Sequence, residues 1–214
     1  MNHQKLLIAE YDPEWPTYFN TIKSQLLTAL ANNRNDFISI EHVGSTAVPG
    51  LCAKPTIDID IVACSKQQIM PIVNAITTSL PYVYLGEFGI TDRHALKFTP
   101  TTRESGSIDA VDRHLYICAE GSVPLRNHLG LRQVLRENEE IRLEYACVKR
   151  ELAETCEDTM IYSARKTGII QKILTLAGTL TDEERKQIEL DNKVMEEKVR
   201  EAWKVRDVEI SGSS

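Results

Sequence analysis

The stretch IEHVGSTAVPGLCAKPTIDIDIVA, Ile40 to Ala63, decides how the rest of the chain is read. Two apolar runs flank a loop, Gly44–Pro55, that is rich in glycine, proline and small residues. The second run, Thr56–Ala63, alternates with period two. In a strand, residues i and i+2 share a face. Ile57, Ile59 and Ile61 therefore line one side, and Asp58, Asp60 and Val62 line the other. Neighbouring carboxylates repel unless a cation neutralises them, a proton is shared, or the face is open to water. Alternation alone also fits an edge strand with a solvated face. The preceding Gly44-Ser45 shifts the balance. Glycine lets backbone N–H groups approach a phosphate, and the serine hydroxyl adds a further bond. Mg²⁺ favours one or two carboxylates together with substrate phosphates and water, which is the chemistry of metal-assisted phosphoryl and nucleotidyl transfer.

Outward from this stretch, Phe37–Val43 reads as the strand feeding the loop. Lys5–Tyr11 reads as an earlier strand. Phe19, Ile22, Leu26 and Leu30 recur at helical spacing, with Pro16 suited to the first turn. Beyond Ala63, Ser65 marks a turn and a helix runs from about Pro71 to Leu80, because a proline in a helix interior is costly. Tyr82–Phe88, His94–Thr99 and Arg113–Ala119 read as three short strands. After Gly121 the apolar residues follow helical periods through three helices. Gly178 suits a C-cap, and Thr181–Glu184 matches a capping box opening a charged helix to about Arg206. Ile188, Met195, Val199 and Trp203 form its apolar stripe, and the final SGSS reads as a disordered end. The expected class is α/β (α+β), with a helical C-terminal portion. Residues 1–178 form the expected domain, and 179–214 a charged helix with its disordered end.

The chain has 214 residues, 42% hydrophobic and 26% charged, the composition of a single globular domain. A net charge of -6 argues against a general polyanion binder, although a local basic patch is compatible with it. No run reaches signal-peptide or membrane-span length. Five cysteines without a C-x-x-C pair argue against a disulfide framework or zinc site, so a cytoplasmic protein with no membrane partner is expected. Cys64 and Cys118, at strand ends, read as small core residues.

Strand, Gly-Ser, loop, then a strand carrying Asp-x-Asp resembles the signature of the nucleotidyltransferase superfamily, the polymerase-β-like fold. The chain more specifically resembles the GrpB family, through YDPEWPTYF, IEHVGSTAVPGLCAKPTIDIDI, GEFGITDRHALKF, HLYICAEGS, RNHLGLRQVLREN, YACVKRELA and IYSARKTGIIQKIL. These stretches run in order from Tyr11 to Leu174. The resemblance implies a nucleotidyltransferase-like mixed sheet flanked by helices. It also implies that Asp58 and Asp60 hold Mg²⁺ or Mn²⁺, and that Gly44 and Ser45 cradle phosphates. Superfamily enzymes usually add a third carboxylate on a later strand. Here that strand offers His114, with Tyr116 where GrpB relatives read a second histidine. Two roles stay open to His114: metal ligand or acid–base group, and partner of Asp58 or Asp60.

A nucleotide polyphosphate also needs cations besides the metal. Lys54 precedes the Asp-x-Asp strand, and Arg93 and Lys97 flank the His94 strand. His128 and Arg132 share a helix face, being four apart. Lys149 and Lys166 enter through the resemblance to the family pattern. Each of these also fits a solvated surface cation, and His42 fits a structural role as well as a functional one.

The resemblance implies a metal-dependent nucleotidyltransferase-type transferase using a nucleoside triphosphate, with the acceptor open. The same pocket on another activated substrate is an alternative. That substrate is a coenzyme A precursor, since relatives occur fused to dephospho-coenzyme A kinase, or an aminoacyl-tRNA, so a tRNA partner stays open. A non-catalytic module binding a nucleotide, another phosphorylated small molecule or a protein partner is the third reading. The oligomeric state is not legible.

Overall fold

A computed structural model describes residues 7–194 except 88, 101, 103, 157–160 and 163–164, and also residue 197. Expectations for Lys5, Leu6, Phe88, Met195, Val199, Trp203 and the terminal SGSS fall outside the described residues.

Five strands form one mixed sheet: β1 (Phe37–Val43), β2 (Thr56–Ala63), β3 (Tyr82–Tyr84), β4 (Arg93–Phe98) and β5 (Asp112–Ala119). Their spatial order is β1-β2-β5-β4-β3. Only β2 and β5 run parallel; they set Asp58 beside His114 and Asp60 beside Tyr116. Antiparallel pairing sets Val43 beside Asp58 and Glu41 beside Asp60 on one flank. On the other flank, Lys97 lies beside His114 and Arg93 beside Cys118. Since cross-strand partners share a face, one side of the sheet gathers Glu41, Asp58, Asp60, His114, Tyr116, Arg93 and Lys97.

The opposite side is apolar. Ile57, Ile59, Ile61, Leu115 and Ile117 pack there against helix α1 (Trp15–Ala29) and helix α2 (Ile69–Ser79), through Phe19, Ile22, Leu26, Ile72 and Ile76. Fully burying each such side chain stabilises the fold by about 1.5–3 kcal/mol. Pro16 occupies the first turn of α1. Helix α2 starts at Ile69, two residues before the expected Pro71, because a short 3₁₀ turn at Lys66–Gln68 leads into it and leaves Pro71 within its first turn.

Helices α3 (Val123–Glu137), α4 (Glu139–Thr155) and α5 (Thr167–Ala177) belong to the charged side of the sheet. Leu125 of α3 seats on Val62 and Cys118, over the far end of that face. A second core joins Leu131, Leu135, Ile141, Tyr145, Ile169 and Ile173 of these helices to Val48, Leu51 and Cys52 of the β1–β2 loop. The loop is therefore wedged into the helical layer, which fixes where Gly44, Ser45 and Lys54 lie.

Three further expectations change. The first strand is reduced, within 7–11, to a single bridge between Ala9 and Ala53, since its partner is the loop and not a strand. The Tyr82–Phe88 strand pairs regularly only over Tyr82–Tyr84 before the chain turns at Gly86. Cys64 is exposed, its Sγ 3.5 Å from the Asn35 carbonyl, because it lies just past the strand's covered end; Cys118 is buried as expected. Gly178 caps α5 with φ of 62°, and residues 182–194 are helical. Thr181 and Glu184 close the expected capping box, with Thr181 N–H donating to Glu184 Oε2 at 2.8 Å and Glu184 N–H donating to Thr181 Oγ1 at 3.2 Å. This C-terminal stretch packs on the helical layer through Leu180 and Ile188. Among the described residues, no helix is long and apolar enough to cross a membrane.

Candidate functional site

The β1–β2 loop leaves its strand at Gly44, with φ of 70° and ψ of -169°, a conformation that essentially only glycine adopts. A Cβ there would stand 2.3 Å from Asp58 Oδ2. The loop backbone and the first aspartate are thus in direct contact, and the glycine requirement is both conformational and steric. Ser45 opens a 3₁₀ turn, Ser45–Ala47, and its side chain lies beside the buried Tyr145 of α4.

The two aspartates have different surroundings. Asp58 is partly open, and its Oδ1 lies 2.9 Å from Nδ1 of the half-exposed His114. Asp60 is 0% exposed. Its Oδ2 lies 2.8 Å from Nδ1 of His128, which α3 brings down onto the sheet. Among the described residues its Oδ1 has no hydrogen-bond partner. A buried carboxylate oxygen without a donor costs free energy and calls for a ligand, an ion or water. Burial lowers the affinity of His128 for its proton, but the charge and hydrogen bond of Asp60 outweigh this and raise its pKa.

Arg93 lies with its guanidinium carbon 4.5 Å over the Tyr116 ring, and its buried Nε has no partner among the described residues. Tyr116 is pushed well above the usual phenol range, by burial first and then by Asp58, with Arg93 opposing. It is a neutral wall between the two histidines, 6.2 Å from His114 and 5.8 Å from His128 between ring centres. Lys97 is exposed on β4, beside His114.

Cations approach Asp58 from the helical layer as well. Lys149 is 2% exposed and donates from Nζ to the Cys52 carbonyl. Burial, then the neighbouring Lys166, pulls its pKa down to about 7, with Asp58 among the charges opposing this. Lys166 sits with Nζ 4.4 Å over the Tyr162 ring. Burial pulls it down to about 8, against the charge of Asp58. Both lysines gain from an anion bound beside them, because it restores the charged form that burial disfavours.

The structure thus gathers Asp58, Asp60, His114, His128, Arg93 and Lys97 on one sheet face. Gly44, Ser45, Lys149 and Lys166 stand on the loop and helical side of Asp58. Lys54 is half-buried immediately ahead of β2. Arg132 points elsewhere: its Nη1 donates to Glu41 Oε2 at 2.9 Å and to the His42 carbonyl at 2.7 Å. His42 itself is buried, stacked 4.7 Å from Phe19 and 3.0 Å from the Thr46 hydroxyl, a structural role. Sequence reasoning missed Tyr145, whose only signal is its place four residues before Lys149 on one helix face.

The donor set bears on whether a divalent ion fits. Two carboxylates on one face and the orphaned Asp60 Oδ1 suit Mg²⁺, which keeps several waters and takes one or two carboxylates. Among the described residues, no group of three His, Cys, Asp or Glu side chains is arranged to hold a metal. The residues therefore fit an ion completed by water and substrate oxygens, not one caged by protein.

A mixed sheet with paired carboxylates on one face, a glycine-led loop against them and helices closing that side defines an α/β protein with a charged cleft. Residues 5–176 match the family model described as GrpB protein, and the chain belongs to the GrpB family. It is 30% identical to UPF0157 protein BH1888 of Halalkalibacterium halodurans over 185 residues, 83% of this chain and 85% of that one. It is 26% identical over 177 residues to the glutamate-rich protein GrpB of Alkalihalophilus pseudofirmus, covering 81% of this chain and 97% of that protein. The crystal structure of conserved protein GrpB from Enterococcus faecalis superposes with a TM-score of 0.66 at 29% identity, over 80% of this chain and 96% of the other.

Proposed function

We propose that this chain is a metal-dependent transferase of the nucleotidyltransferase type that uses a nucleoside triphosphate. The observation that carries the reading is the contact between the Gly44 backbone and Asp58, beside a buried Asp60 whose Oδ1 lacks a partner. Asp58 and Asp60 would hold Mg²⁺ or Mn²⁺, which when bound supplies charge neutralisation at the reacting phosphate. The Gly44 and Ser45 backbone and the Ser45 hydroxyl bind phosphate oxygens. Lys149 and Lys166, with Lys54, neutralise the polyphosphate, and its charge offsets the burial that weakens the hold of Lys149 and Lys166 on a proton. Arg93 and Lys97 add positive charge from the β4 side.

The Asp58 carboxylate accepts from Nδ1 of His114, which leaves Nε2 of a neutral His114 bare. That nitrogen takes the proton of the acceptor hydroxyl as its oxygen attacks the α-phosphorus. Pyrophosphate leaves with the electrons of the broken P–O bond. The acceptor is open on this reading, and the coenzyme A precursor and aminoacyl-tRNA alternatives use the same cleft. Calorimetry with ATP, CTP, GTP, UTP and coenzyme A, with and without Mg²⁺, tests it. Mg²⁺-dependent binding in the parent, lost in Asp58→Asn, is expected; absence of nucleotide binding overturns the reading.

A second reading has its own support. Tyr116, not a third carboxylate, stands beside Asp60, and no three-donor metal group exists among the described residues. A nucleotide-binding module without catalysis would show nucleotide binding that is indifferent to Mg²⁺.

A further inference from the structure

On the edge-strand side of the cleft lies a groove of about 290 Å³ between α1, β1, the β1–β2 loop and α3. Its charged lining is Lys23, Glu41, Arg132 and Arg136. His42 also lines it and is uncharged at neutral pH, since burial pulls its pKa down to about 4. The wall thus presents three cations against one carboxylate in a chain whose net charge is -6. Such a local excess of positive charge needs a reason.

Glu41 does not exhaust these cations. Arg132 makes both of its bonds through Nη1, and Arg136 donates to the Ala47 carbonyl through Nε and Nη2. Nη2 of Arg132 and Nη1 of Arg136 are left without a protein acceptor among the described residues. Burial tends to raise the pKa of Glu41. The bonds from Arg132 and Ser39 and the charges of Arg132 and Lys23 outweigh it, so Glu41 stays ionised and orients Arg132. Tyr11 and Pro49 supply flat apolar wall. Two free guanidinium edges and an ammonium around an apolar-walled slot suit an oxyanion carried on a ring.

The groove adjoins the proposed catalytic face. Glu41 is the cross-strand partner of Asp60, so the two sites lie one strand apart, about 5 Å in the pairing direction. We propose that the groove is a binding subsite for a small molecule bearing a carboxylate or phosphate on a flat ring, held by Lys23, Arg132 and Arg136. Its assignment as the seat of the acceptor rests on the transferase reading; its assignment as an oxyanion subsite does not.

The test titrates phenyl phosphate and benzoate into the isotope-labelled protein and follows backbone and arginine Nε resonances. The expected result is a set of shifts centred on Lys23, Glu41 and Arg136, with affinity falling about tenfold for each cation removed in Lys23→Gln and Arg136→Gln. Lys23 is a half-buried helix residue, so Lys23→Gln keeps the fold even if Arg136→Gln, which frees the Ala47 carbonyl, does not. Shifts centred on His114 and Lys166, no binding at millimolar probe, or unchanged affinity in Lys23→Gln each overturn the subsite. Adding ATP and Mg²⁺ separates the two claims. Simultaneous occupancy supports the acceptor assignment, and competition overturns it. Groove binding without any nucleotide binding leaves the subsite standing and removes the transferase reading.

Discussion

Asp60 Oδ2 lies 2.8 Å from His128 Nδ1 with the carboxylate wholly buried, whereas its neighbour two residues earlier pairs with a half-exposed histidine. Two Asp–His pairs of nearly equal length therefore sit at different depths, and depth decides what each contributes.

Replacing His128 with Asn should lower stability by about 2–3 kcal/mol, because a buried carboxylate loses its hydrogen-bond partner. His114→Asn should change stability by about 1 kcal/mol or less, since its pair is open to water. Urea denaturation of both variants measures the contrast. Equal losses would show that the depth argument is wrong.

Gly44→Ala should destabilise the protein by about 1–3 kcal/mol, combining a glycine-only conformation with a Cβ 2.3 Å from Asp58 Oδ2. It should also weaken Mg²⁺-dependent nucleotide binding at least as much as Asp58→Asn. Thermal melts with and without ATP and Mg²⁺ report both effects; an unchanged melting temperature in the variant would sink the prediction.

Lys149 makes stability depend on pH. Its folded pKa of about 7 lies below the ordinary 10.5, so the folded state releases a proton that the unfolded chain keeps. Between pH 7 and 10.5 the unfolded state binds more protons, and this lysine makes stability rise with pH there. Below pH 7 its charging penalty is fully present. Lys149→Met should remove this dependence, shifting the parent-minus-variant stability gap toward the parent by on the order of 1 kcal/mol per pH unit from 7 upward. A flat gap over that range, read by denaturation at several pH values, counts against the burial of a charged amine.

Cutting the chain after Gly178 tests how the C-terminal stretch belongs to the domain. Arg126 of α3 donates to the Thr179 carbonyl and to both carboxylate oxygens of Glu184, and Leu180 is buried in the helical core. Losing Leu180 alone should cost about 1.5–3 kcal/mol. The sheet and its α1–α2 core stay intact, so the melt should remain cooperative at a lower midpoint. An unchanged midpoint would show that these contacts contribute nothing. The Arg126 bond holds Glu184 down to about 2, so its contribution in the full chain should be present at neutral pH, decline as pH falls below the ordinary 4.5, and be gone by about pH 2.

Period-two alternation was sufficient to set β2 and to place Asp58 and Asp60 on one face away from the isoleucines, because strand geometry leaves no other arrangement, and β1 and β5 were legible as short apolar runs. The capping box at Thr181 and the left-handed cap at Gly178 were equally local and equally legible. Tyr82–Phe88 was not: its apolar residues fit a longer strand, but regular pairing ends at Tyr84. Nor could local pattern say which strands become neighbours. The parallel pairing of β2 with β5, formed across more than fifty residues of chain, put His114 beside Asp58 and Tyr116 beside Asp60. The packing of α3 brought His128 onto Asp60 while turning Arg132, one helical turn later, toward Glu41. Residue types and strand faces follow from short-range periodicity. Burial depth, partner choice and the groove beside β1 follow from long-range packing, which no local spacing encodes.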